Sequence, residues 1–340
     1  MFRRISDKMF GLRKIGKYLT DGDLRKAYKD YKQSEEIAAR LILNTILSEG
    51  WLGFLSQPRN LEEIAEEFDY SNLDLLHQIL NFLERSDYLK IIDGNFLIKT
   101  ISTVSIAPSE LGTILANFYL DCSNFLPKAL RNEHLPLEEV PRIVLVSVFG
   151  DSLLQIGREV LLRNFVQGKP KNVGVAAFGD VGLIFAVQQI EQLFGPEQIH
   201  VFVHNYRWAS SFLSLLRLYS SSDIMKKVSV HLWGTSIIES ELKGNIDLFF
   251  GEEFFAFAPE ELDKKSKIIA DYLMPGARII TDDPTIEEDS EITASYILMQ
   301  CIKGYPQPVS RSLLRDTFET SGLKLLTLGD NWLVAEKESE

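Results

Sequence analysis

Two glycines three residues apart, Gly179 and Gly182, bracket Asp180 directly after the apolar run Val173 to Phe178 in "NVGVAAFGDVGL". A strand that turns through glycines into a helix bends sharply and lets the backbone approach a ligand closely, and the helix start presents unpaired N–H groups to it. Asp180 suits either of two roles there: meeting a cationic group of the ligand, or capping the helix that follows. A second cluster, "FFGEEFF", sets the adjacent carboxylates Glu252 and Glu253 at the end of another apolar run. Such a pair can accept a proton from a substrate, and can equally be a surface or capping pair. His204 and Asn205 close the run "IHVFVHN", and Gly234 and Thr235 follow "VHLW". Four apolar runs therefore end in groups able to turn the chain or contact a ligand.

Other reactive residue types form weaker patterns. His200 and His204 lie four residues apart and share a strand face, with no third residue at metal-ligand spacing, which favours hydrogen-bonded strand histidines. The segment "RIVLVSVFGDSLLQIG" resembles the first block of the GDSL esterases, in which the serine, here Ser152, is the nucleophile. Those enzymes need an Asp-x-x-His pair to activate it. None of His200, His204 or His231 has an aspartate three residues earlier.

The runs that end in these groups read as strands: Val173 to Phe178, Ile199 to His204, Val228 to Trp233, Ile246 to Phe250 and Arg278 to Thr281, with a closing pair at Leu323 to Leu328 and Trp332 to Glu336. Helical periodicity fills most gaps, at Leu183 to Phe194, Trp208 to Tyr219, Pro259 to Leu273 and Ser310 to Ser321. Alternation of this kind predicts an α/β fold, a Rossmann-like, doubly wound and mostly parallel sheet. Ahead of it, Ile37, Ala38, Leu41, Ile42 and Ile46 recur at helical spacing up to Gly50. Asn60 and Ser71 are placed to cap two further helices, and Asp93-Gly94 between Tyr88 to Ile92 and Asn95 to Ile98 is a hairpin signal. Helix, helix-turn-helix and hairpin make an α-helical, winged-helix-like domain. Its second helix carries Asp74, Glu84 and Asp87 against a lone Arg85, which disfavours DNA reading.

The stretch "NLEEIAEEFDYSNLDLLHQILNFLERSDYLKIIDGNFLIK" resembles the N-terminal dimerisation domain of the class I small-molecule O-methyltransferases. "NIDLFFGEEFFAFAPEELDKKSKIIADYLMPGARIITDD" and "VSRSLLRDTFETSGLKLLTLGDNWLVAEK" are similar to that family's strand, helix, Pro-Gly turn and closing strand pair. The resemblance covers roughly residues 36 to 100 and 170 to 337. It implies a S-adenosylmethionine-dependent methyltransferase acting on a small molecule by O-methylation, or a relative that kept the fold and lost methylation. In either case a homodimer is implied. The cofactor contacts that the resemblance implies fall on Gly179, Asp180, Gly182, His204, Asn205, Gly234 and Thr235, and the catalytic carboxylates on Glu252 and Glu253. Several positions depart from the family pattern. Ala176 and Ala177 stand at the expected acid and Phe178 at the first glycine; His204 and Asn205 take the place of the ribose-binding acid. Phe255 stands where a catalytic histidine is found.

The length of 340 residues predicts two domains with a connector: 1–105 winged-helix-like, 106–168 helical, and 169–340 Rossmann-like. A net charge of −12 opposes nucleic-acid binding over most of the surface. Cys122 and Cys301 lack C-x-x-C spacing, which suits neither a disulfide framework nor a zinc site and fits a cytoplasmic location. No apolar stretch is long enough to span a bilayer. Basic and apolar residues alternate from Phe2 to Lys17, a pattern compatible with membrane-surface contact and more simply with packing in the protein's own fold or a second subunit.

Overall fold

The computed structural model describes residues 22–99, 105–107, 109–110, 113–233, 242–256, 259–286, 292–329 and 332–338. The basic, amphipathic N-terminal residues, Gly234 and Thr235 lie outside them. The chain forms two compact units, and the segment 106–168 is divided between them.

The first unit holds residues 25–148 and 291–305. Its elements include α1 (Gly22–Ser48), α2 (Trp51–Phe54), α3 (Leu61–Glu67), α4 (Leu73–Arg85), β1 (Leu89–Ile92), β2 (Asn95–Ile98), α5 (Ile114–Ala129) and α6 (Arg142–Phe149), with a short helix at Ala294–Met299 from the second segment. The periodic face of α1, with Ile37, Ala38, Leu41, Ile42 and Ile46, is fully buried, and Gly50 takes the left-handed backbone after it. Asn60 caps α3 through a reciprocal bond with Glu63, each side chain accepting from the other residue's backbone N–H. Asn72, rather than Ser71, caps α4, because its Oδ1 accepts from Leu75 N at 3.1 Å while the Ser71 hydroxyl accepts from Asn132. Asp93 and Gly94 both have positive φ, which matches the hairpin turn to the strand twist. Cys122 and Cys301, distant in sequence, meet here as free buried thiols, Cys301 Sγ donating to the Cys122 carbonyl at 3.4 Å.

The second unit is built on residues 149–290 and 306–340. It contains α7 (Ser152–Phe165), β3 (Asn172–Ala177), α8 (Gly179–Phe194), β4 (Gln198–Val203), α9 (Tyr206–Tyr219), α10 (Ser222–Lys227), β5 (Val228–Leu232), β6 (Ile246–Glu252), α11 (Leu262–Tyr272), β7 (Leu273–Thr281), β8 (Thr285–Ile286), β9 (Val309–Ser310), α12 (Arg311–Thr320), β10 (Leu323–Leu328) and β11 (Leu333–Lys337). The segment around Ser152 is helical, α6 leading into α7.

A seven-stranded sheet runs in the order β10-β11-β7-β6-β3-β4-β5. Strands β7, β6, β3, β4 and β5 are parallel, and β11 and β10 close one edge antiparallel. Sequence order leaves β3 toward β4 and β5 on one side, then resumes on its other side with β6 and β7. The crevice between the carboxyl ends of β3 and β6 is therefore the topological switch point, where folds of this kind bind ligands. Residues Val173 to Ala177 of β3 are all buried, as a central strand covered on both faces requires. Gly174 is needed there because a Cβ would lie 2.7 Å from a Phe249 ring carbon. Strand β6 reaches two residues beyond the Phe250 expected from the apolar run, since Gly251 pairs with Ala176 and Thr281 and Glu252 pairs with Ala177. That extension places Glu252 inside the sheet.

Candidate functional site

At the end of β3 the chain passes through Phe178 into α8, which begins at Gly179 rather than at Leu183 as the apolar periodicity indicated. The Phe178 N–H donates to the Glu252 carbonyl at 3.0 Å, so the first residue of the loop is tied to the neighbouring strand. Gly179 has φ of 74°, and a Cβ there would meet nothing within 4 Å; the loop backbone is open at this point. Gly182 serves packing instead. Its Cβ would come 3.3 Å from the Ala177 Cβ and 3.5 Å from the Phe149 ring, so glycine lets the helix lie close on the strand. Asp180 sits in the first turn of α8, where its charge suits the helix dipole, and accepts a hydrogen bond from the Ser211 hydroxyl.

Beside the loop lies a buried ionic centre. Arg158, from α7, donates from Nε to Asp282 Oδ2 at 2.6 Å, pairs through its second terminal nitrogen with Glu252, and gives its remaining one to the Phe149 carbonyl at 3.3 Å. The Arg158 and Glu252 side chains are 5% and 0% exposed, whereas Asp282 keeps 17%. Burial works against the Arg158 charge, but Glu252 and Asp282 more than offset it, and the guanidinium stays protonated above its usual range. Burial raises the Glu252 carboxyl well above the ordinary range despite Arg158, and raises Asp282 as well. Two carboxylates against one guanidinium make a centre that can hold a proton between them. Glu253 is half-buried, has φ of 50°, and gives its backbone N–H to Asp282. The adjacent acids thus divide: Glu252 is a core residue paired with Arg158, and Glu253 begins the turn.

One strand over, the polar positions differ from those of an acid-ended strand. Burial and the nearby Lys265 lower His204 to about 3, so it is neutral near pH 7. Its ring stands edge-on to Trp208 at 5.8 Å and tilted to Phe254 at 5.7 Å; Phe178 meets Trp208 at 5.7 Å and Trp233 meets Phe254 at 5.0 Å. Asn205 caps α9, its Oδ1 accepting from Trp208 N at 2.9 Å. His200 does not join His204; its Nδ1 faces His231 Nε2 at 3.1 Å, and burial lowers it to about 4.

Arg158, Asp283 and Lys265 were not singled out by the residue patterns. Lys265 has no exposed surface, and its Nζ donates to the Phe254 carbonyl at 2.8 Å; Asp283 Oδ1 accepts from Ala256 N at 2.7 Å. A signal for both cations exists in the helical period. Lys265 falls on the buried face Leu262, Ser266, Ile269, and Arg158 on the face of Leu161 and Leu162.

Comparison with solved structures finds the same architecture over almost the whole chain. The CurJ carbon methyltransferase is 13% identical, with 96% of this chain and 98% of that one covered at a TM-score of 0.64. The DszA carbon methyltransferase gives 13%, 97% and 94% at 0.63. An O-methyltransferase family 2 protein from Planctomyces limnophilus, solved with apigenin, gives 13%, 91% and 94% at 0.56. The chain has the fold of the class I methyltransferases. No protein-family model and no curated protein matches the sequence. Within this methyltransferase fold, Ala177, Gly179, Asp180 and Glu252 come together at the switch point, with His204 and Asn205 at the end of the adjoining strand β4. The carboxylate missing from the end of β3 has a counterpart one strand away, since Glu252 is the register partner of Ala177.

Proposed function

We propose that the protein is a S-adenosylmethionine-dependent methyltransferase acting on a small molecule. The observation that carries this reading is the open, left-handed turn at Gly179, leading into a helix at the switch point of a methyltransferase-type sheet. The loop fits the amino-acid end of the cofactor. Gly179 leaves room for it, the first N–H groups of α8 suit a carboxylate, and Asp180 suits an ammonium group. At the ribose the available groups are the neutral His204 and the side-chain amide of Asn205, in place of a carboxylate. Bound S-adenosylmethionine supplies an electrophilic methyl group. This chain's own residues would orient the acceptor and take its proton. Asp282, the member of the ionic centre with exposed surface, is assigned as the proton acceptor, with Glu252 and Arg158 setting its charge. The fold neighbours methylate carbon and oxygen alike in name, so O-methylation belongs to the proposal.

A second reading, loss of methylation with retention of a binding or partner role, is favoured by the ring cluster of Phe178, Trp208, His204 and Phe254 around the end of β4, where the described residues offer His204 and Asn205 in place of a carboxylate. Calorimetric titration with S-adenosylmethionine and S-adenosylhomocysteine separates the two. Heat of binding that weakens in Asp180→Ala supports the methyltransferase, and no heat or thermal shift at millimolar ligand sinks it.

A homodimer and a cytoplasmic location complete the proposal. Exposed Ile91 and Ile92 on β1 support the first and the two free thiols the second. No helix among the described residues is long and apolar enough to cross a membrane.

A further inference from the structure

The turn that follows β6, Glu253 to Ala256, is held by ionisable side chains that lie outside it. Asp282 accepts from the Glu253 N–H, Lys265 donates to the Phe254 carbonyl at 2.8 Å, and Asp283 accepts from the Ala256 N–H at 2.7 Å. Lys265 also lies 4.8 Å over the Phe254 ring. A turn at the surface would give these backbone groups to water. Here Lys265 and Asp283 are 0% and 1% exposed, and burying an ammonium and a carboxylate carries a desolvation cost that an apolar side chain would avoid. What that cost secures is a strained geometry: Glu253 holds φ of 50°, and Gly251 is packed so tightly that a Cβ would lie 2.9 Å from Thr281.

We infer that Lys265 and Asp283 are positioning residues that fix the Glu253–Ala256 turn, and through it the adjoining Glu252 carboxylate and the aromatic wall around Phe254. The catalytic meaning of this inference rests on the proposed methyltransferase reading; the positioning itself does not. The chain of contacts is short. Lys265 and Asp283 grip the turn on either side of Phe255, Glu252 just before it meets Arg158 and binds the Phe178 N–H through its carbonyl, and Phe254 packs against His204 and Trp233. The charged groups facing Lys265 are Asp283, Glu261 and Glu260, with the neutral His204 beside it; those facing Asp283 are Asp282 and Lys265. Burial lowers Lys265 to about 8 and raises Asp283 to about 6, so the grip loosens when Lys265 gives up its proton in mildly alkaline solution.

Amide hydrogen exchange on the full-length protein, corrected for the intrinsic pH dependence of exchange, tests this. In the wild type, protection of the Glu253 and Ala256 amides should fall at least several-fold between pH 7 and 9 while the amides of β3 stay protected. Lys265→Met should show the low protection at both pH values, and Asp283→Asn should lower protection of Ala256. A residue of merely structural value would lower the melting temperature without giving the turn its own pH profile. Turn protection that follows β3 across the pH range overturns the inference, and this wild-type measurement stands even where a variant does not fold. Because exchange needs no ligand, a null titration with S-adenosylhomocysteine would count against the proposed function and leave the positioning intact.

Discussion

Arg158 and Glu252 face one another with almost no exposed surface, and the same guanidinium holds Asp282 through Nε at 2.6 Å. Arg158→Met fills a similar volume but leaves the buried Glu252 and the mostly buried Asp282 without their cation. A loss of about 3–5 kcal/mol of stability is expected at pH 8. Burial already raises both carboxyls, and without the cation they rise further. A group whose folded value is raised contributes stability at low pH and loses it as pH climbs through that value. The deficit of Arg158→Met should therefore shrink between pH 8 and pH 5. Urea unfolding at the two pH values checks this, and an equal deficit at both rejects a charge-based role for Arg158.

The two loop glycines should separate in their effects. Gly182→Ala puts a methyl group against Ala177 and the Phe149 ring, and overpacking of about 1–3 kcal/mol is expected, read by denaturation. Gly179→Ala meets open space and bears mainly the strain of a left-handed backbone, about 1 kcal/mol. If Gly179 lines the ligand site, its substitution should weaken S-adenosylhomocysteine binding beyond what its small stability loss explains. Equal effects of the two changes on binding would remove Gly179 from the site.

Much of the second unit was legible because its strands are apolar runs and its turns are glycines. β3, the Gly179 turn and the closing strand pair all stand where local pattern put them. The Asp93-Gly94 hairpin and the Asn60 cap were legible for the same reason, being made by neighbours in sequence. The ionic centre was not. Arg158 reaches Asp282 across 124 residues, and only the tertiary fold brings α7 to the ends of β6 and β7. Glu252 and Glu253 look alike as adjacent letters, yet two residues of added strand pairing bury the first and leave the second to begin the turn. Lys265 hides among Lys264 and Lys267, distinguishable only by its place on the buried helical face.

Asn205 offers a gain-of-binding prediction. Its side chain already caps α9, and aspartate caps as well as asparagine, so Asn205→Asp should change stability by less than about 0.5 kcal/mol. The substitution returns a carboxylate to the residue just beyond β4, where a charge-assisted bond to a ribose hydroxyl is roughly twice as strong as a neutral one. Affinity for S-adenosylhomocysteine should rise by about tenfold. An unchanged affinity in a protein that does bind the ligand would place the ribose away from β4.

His204 should govern part of the acid limb of stability. Burial and Lys265 lower it to about 3 from the ordinary 6.5, so its contribution is fully present above pH 6.5 and is lost progressively as the pH falls toward 3. Over that window one group adds a slope of up to about 1.4 kcal/mol per pH unit. His200, lowered to about 4, acts in the same sense, whereas Asp283, raised to about 6, stabilises the fold as pH falls from 6 toward its ordinary value. The net wild-type slope mixes these contributions, and the difference between variants isolates one. His204→Phe keeps a ring against Trp208 and Phe254 while removing the titrating group. Its unfolding free energy between pH 6.5 and 4.5 should therefore fall less steeply than that of the wild type. Parallel curves for the two proteins, measured by urea denaturation at closely spaced pH values, would show that His204 is not the neutral, desolvated imidazole that its packing demands.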